Sequence, residues 1–121
     1  MNFAVAAALI LATGVMLGAF GAHGLKGRVD QEMLDVFEVA VRYQLLHGLA
    51  LLAVVAVGLG AKPLQVVGSC YLGGILLFSG SLYLLVFSGI RWLGAITPIG
   101  GLLLICGHLY LAYSFWGQGR G

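Results

Sequence analysis

Charge is scarce in this chain. Ten of its 121 residues are Asp, Glu, Lys or Arg, 8% against 61% hydrophobic, which excludes a soluble domain whose every element keeps a wet face. The few charges are also unevenly placed. Seven lie between Lys26 and Arg42, while Lys62, Arg91 and Arg120 stand alone between apolar runs. A net charge of +2 is too small and too dispersed for a nucleic-acid partner, and none is expected. The two cysteines, Cys70 and Cys106, fall in separate apolar runs, where a thiol acts as a small apolar side chain. No Lys or Arg precedes the first apolar run and no separate mature domain follows it, so that run reads as a retained helix rather than a secretion signal.

The residue patterns of chemistry are missing too. There is no CxxC, no HxxxH and no paired-carboxylate spacing, and all four acids sit in the charged segment. No nucleophile lies near a base, and no glycine-rich loop joins a strand to a helix. The sequence therefore assigns no catalytic residue, no metal site and no cofactor.

What remains is apolar length. Four runs, spanning about 3–22, 39–61, 64–88 and 93–116, each reach the roughly 20 residues a helix needs to cross a ~30 Å hydrocarbon core. The expected fold is all-α, one integral membrane domain over residues 1–121. It is a polytopic four-helix bundle with an extended second helix that starts in water. Asp30 offers that helix an N-cap, and Glu32 and Asp35 suit the positive end of its dipole. Gln31, Asp35, Glu38 and Arg42 fall within about 60° of one another at helical spacing, which makes one narrow wet stripe. Turning that stripe outward aims Tyr43 and His47 at the bundle, where polar groups find partners.

His23, Tyr43, Gln44, His47, Ser79, Ser81, Tyr83 and Thr97 thus form a candidate polar cluster inside the membrane. Its members either fasten helices together or line a small cavity. Counted from the charged side, His47 lies ~12 Å deep and His108 ~24 Å deep, an offset that excludes a shared metal ion. Gly14, Gly18, Gly73, Gly80, Gly100 and Gly101 are candidate positions of close helix approach. Pro98 is expected in the first turn of the fourth helix.

Four stretches are familiar as a set: GAFGAHGLK at Gly18 to Lys26, YQLLHGLALL at Tyr43 to Leu52, LFSGSLYLL at Leu77 to Leu85, and ITPIGG at Ile96 to Gly101. Together they resemble the small four-helix membrane proteins of domain-of-unknown-function family 423, related to eukaryotic transmembrane protein 256. The resemblance covers nearly the whole chain. It implies a bacterial cytoplasmic-membrane protein and carries over no catalytic residue. A structural or accessory bundle is the main expectation, with an oligomeric small-solute or ion transport unit and a lipid- or cofactor-binding module as alternatives. Membrane lipids and a second copy of the chain are the expected partners. Lys26, Arg28, Arg42 and Arg91 outnumber Lys62 and Arg120, which places both termini outside the cytoplasm.

Overall fold

The computed structural model describes residues 2–120, with side chains through Gln118. Four long helices follow in order: α1 (Phe3–His23), α2 (Gln31–Val57), α3 (Ala61–Ser88) and α4 (Thr97–Arg120), with a 3-10 helix over Arg91–Ala95 before the last. All four are long and apolar enough to cross a membrane. Met1, Gly121 and the side chain of Arg120 lie outside the described residues.

Local chemistry sets the helix ends. Asn2 caps α1 by accepting from the Val5 N–H at 3.1 Å, and Asp30 caps α2 by accepting from Met33 N–H at 2.9 Å. Gly58 and Gly89, both at φ 72°, close α2 and α3 in the left-handed conformation that glycine adopts without strain. Pro63 and Pro98 each sit in a first turn, where the missing N–H breaks no helical bond.

Each helix packs against the next, α1 on α2, α2 on α3 and α3 on α4. The middle two are more enclosed: 39% of the most apolar window of α2 and of α3 is buried, against 17% in α1 and α4. Two apolar clusters form along the bundle. One gathers Leu25, Phe37, Val41 and Val86 at the charged end, and the other gathers Phe3, Leu51, Val54, Val67, Tyr71 and Leu104 further in. Gln44 and His47 lie on α2 between them.

The wet stripe is as its spacing implies: Gln31, Asp35, Glu38 and Arg42 are all exposed. Glu38 and Arg42 stand four residues apart in the order that favours an ion pair, yet they form none. Gln31 instead donates to Asp35 at 2.8 Å, and the ion pair among the described residues joins Arg91 to Glu32 at 3.0 Å. That pair ties the start of the 3-10 helix to the first turn of α2. Both side chains are well exposed, so solvent screening leaves it little to add to stability.

The glycines divide by what surrounds them. A methyl group on Gly14 would meet Leu45 at 2.6 Å, and one on Gly100 would press into the backbone of Phe78. On Gly18 and Gly73 it would find contacts of 3.4 Å, and on Gly101 3.7 Å. Gly80 is a correction, since its nearest neighbour would be Leu76 of its own helix at 3.9 Å. Gly21, Gly48, Gly68, Gly74 and Gly107 are the close approaches that spacing does not single out; each would bring a methyl within 2.9 Å of a residue on a neighbouring helix. Gly100→Ala is expected to lower stability by about 1–3 kcal/mol, because a backbone neighbour cannot move aside. Gly80→Ala should raise it by about 0.5–1 kcal/mol through helix propensity. Thermal unfolding in detergent measures both.

Candidate functional site

The polar side chains of the bundle form three small networks rather than one cluster. The first centres on Gln44 of α2. Its amide nitrogen donates to the Ile10 carbonyl at 2.9 Å and to the Thr13 hydroxyl at 2.8 Å, while its amide oxygen accepts from the Tyr83 hydroxyl at 2.6 Å. One side chain therefore holds α1, α2 and α3. The Thr13 hydroxyl itself donates back to α1 carbonyls at Leu9 and Ile10, which leaves its lone pairs for Gln44.

The second set lies along α3. Ser79 is 1% exposed and donates to the Ala40 carbonyl at 2.7 Å, fixing α3 to α2. Two residues on, Ser81 meets the Thr97 hydroxyl at 2.7 Å, which ties α3 to the first turn of α4.

The third runs through both deep histidines. Tyr71 Oη is 2.7 Å from His108 Nδ1, His108 Nε2 is 3.0 Å from His47 Nε2, and His47 Nδ1 is 2.9 Å from the Tyr43 carbonyl oxygen. The direction of every bond follows from the last one. A carbonyl only accepts, so His47 Nδ1 carries the proton and, with the ring neutral, Nε2 accepts. His108 must then donate from Nε2 and accept at Nδ1, and Tyr71 donates its hydroxyl. The chain is polarised one way across α3, α4 and α2.

The meeting of His47 and His108 overturns the depth count. That count starts α2 at its apolar edge near residue 39, whereas the contact between Arg91 and Glu32 shows that the entry to α4 lies level with the first turn of α2. His47 is fifteen residues beyond Glu32 and His108 seventeen beyond Arg91, so they arrive at nearly the same depth. Among the described residues, no three or more His, Cys, Asp or Glu side chains gather as metal ligands.

Seven of the eight candidate residues join these networks, although Tyr43 enters only by its carbonyl. Its ring is 36% exposed and stacks on Phe78 with centroids 4.3 Å apart, so the expected inward turn is only partial. His23 is the exception. It is exposed at the end of α1, and no hydrogen bond among the described residues uses its side chain. Thr13, Tyr71 and His108 are participants that the motifs do not mark. Thr13 interrupts an otherwise apolar stretch of α1, the signal by which it is detectable, whereas Tyr71 is one of several polar residues on α3 and is not set apart.

Four apolar helices with a buried polar layer define a polytopic α-helical membrane protein. The model of the family described as "Protein of unknown function (DUF423)" matches residues 17–101. A UPF0382 membrane protein of Staphylococcus haemolyticus is 46% identical over 93% of this chain and 93% of its own length. One from Staphylococcus aureus is 48% identical over 90% of each chain, and YwdK of Bacillus subtilis is a UPF0382 membrane protein 41% identical over 93% of this chain and 94% of its own. The chain belongs to the DUF423 family. No solved structure matches it.

Removing Gln44 tests the first network. Gln44→Leu should cost about 2 kcal/mol, three interhelical bonds at ~0.6 kcal/mol each, whereas Ser79→Ala should cost about 0.6 kcal/mol. His23→Ala should change nothing. Unfolding titrations in mixed micelles give all three values.

Proposed function

We propose that this protein is a structural or accessory bundle of the bacterial cytoplasmic membrane, and that its buried polar residues hold the helices in register. The observation that carries the reading is complete satisfaction of polarity. Among the described residues, every buried side-chain nitrogen and oxygen has a hydrogen-bond partner. A solute path needs polar groups with bonding capacity left over for the solute, and bonds that run from helix to helix leave little. Cavities of about 680 and 490 Å3 open at opposite ends of the bundle, and neither is lined by Gln44, His47, Ser79 or Ser81.

The outer faces of α1 and α4, with Val15, Met16, Leu102 and Leu109 among their exposed residues, suit lipid or a second copy of the chain. A transport unit built from several copies is the second reading. It draws support from His108, which is exposed on α4 while bonded to the buried His47.

Proton flux into liposomes carrying the protein and an internal pH dye separates the two. The structural reading expects the rate of protein-free liposomes at any imposed gradient. Sustained flux that His47→Phe abolishes without unfolding the bundle would sink it.

Lys26, Arg28, Arg42 and Arg91 lie toward one end of the bundle and Lys62 toward the other, which favours both termini outside the cytoplasm. A C-terminal alkaline phosphatase fusion should then be active and a fluorescent-protein fusion dark. The reverse pattern would invert the topology.

A further inference from the structure

The seam between α1 and α2 widens at the charged end into a groove of about 680 Å3. Phe37, Val41 and Leu45 line its apolar length, and Lys26, Arg42 and Glu38 stand at its rim. The α1 side is made of small residues for a steric reason. A methyl on Gly21 would come within 2.7 Å of the Phe37 ring, and one on Gly18 within 3.4 Å of Val41, so backbone rather than side chains forms that wall.

The rim is electrostatically incomplete. Among the described residues the ion pair within 4.0 Å is Arg91–Glu32, so neither Lys26 nor Arg42 is neutralised by a carboxylate at that range. Both side chains are exposed. Lys26 lies in the α1–α2 loop and Arg42 ten residues beyond Glu32 on α2, and long basic side chains can extend from such positions to a phosphate at the lipid headgroup level. A free anion would satisfy the two cations and leave the apolar length uncovered. A zwitterionic lipid would cover the apolar length and meet the cations with no net charge. Glu38 adds a further demand, because it repels a doubly charged phosphomonoester and accepts a hydrogen bond from a headgroup hydroxyl.

We propose that this groove binds an anionic phosphodiester lipid, with its phosphate between Lys26 and Arg42, its headgroup hydroxyl donating to Glu38 and one acyl chain along the α1–α2 seam. The lipid would cover the part of that seam the two helices leave open.

Native mass spectrometry of the full chain, released from micelles doped with one lipid at a time, tests the site. The probes are phosphatidylglycerol, phosphatidic acid and phosphatidylcholine with identical acyl chains. Phosphatidylglycerol should be retained above both others, and Lys26→Gln and Arg42→Gln should each lower its retention about fivefold. Lys62→Gln, near the other end of the bundle, should leave it unchanged. Equal retention of phosphatidylglycerol and phosphatidylcholine by the unaltered protein would overturn the proposal. So would unchanged retention in the Lys26 and Arg42 variants, or retention of phosphatidic acid above phosphatidylglycerol. Displacement of the lipid by millimolar inorganic phosphate would make the groove a free-anion site and overturn it as well. The first and last comparisons need no variant, so they stand whatever a substitution does to folding.

Discussion

Hydrocarbon offers a polar group nothing to bond with, and the arrangement of this bundle follows from that restriction. A soluble helix can leave a glutamine in water, but Gln44 must find its partners in protein. It takes two from α1 and one from α3, so its own helix is held between them. Ser79 solves the same problem differently, using the spare lone pair of a helical carbonyl at Ala40. In each case satisfying one polar side chain fixes the rotation of two or more helices. Apolar side chains alone would fix it poorly, because lipid tails solvate leucine as well as a neighbouring helix does.

Close approach is the second resource, and the two are connected. A methyl group on Gly107 would lie 2.8 Å from the Tyr71 ring, so glycine there lets α4 settle directly on α3. The next residue is His108, and that settling brings its Nδ1 to within 2.7 Å of the Tyr71 hydroxyl. A larger residue at 107 would separate the helices and break the histidine chain at the same time. Gly48 works similarly beside His47, where it admits Ile10 and Leu11 of α1. At these two positions close approach and polar bonding are one arrangement.

Much of this was legible in sequence wherever one helix decides the outcome. The cap at Asp30, the first-turn place of Pro98 and the wet stripe through Gln31, Asp35, Glu38 and Arg42 are local properties of spacing and residue type. What two helices decide together was not legible. Whether Gly80 or Gly74 meets a neighbour depends on the rotation of α3, and whether His47 meets His108 depends on the level at which α2 and α4 begin. That level follows from how the helices pack, and the contact that marks it, Arg91 with Glu32, joins residues 59 positions apart that no periodicity relates. The same limit explains His23. Its place within a motif made it a candidate, while its position at the last turn of α1 leaves it exposed.

The histidine chain itself argues for fastening over conduction. A relay passes protons only if each member can take one up on one side and release one on the other. Here the chain ends at the Tyr43 carbonyl, which accepts a hydrogen bond but takes up no proton at ordinary acidity, and begins at Tyr71, whose side chain is fully buried. A proton entering at His108 has no exit along these bonds. Although His108 is exposed, both of its ring nitrogens are engaged, one with Tyr71 and one with His47. A histidine on the outer face of α4 is therefore compatible with hydrocarbon, because its polarity is spent on joining three helices.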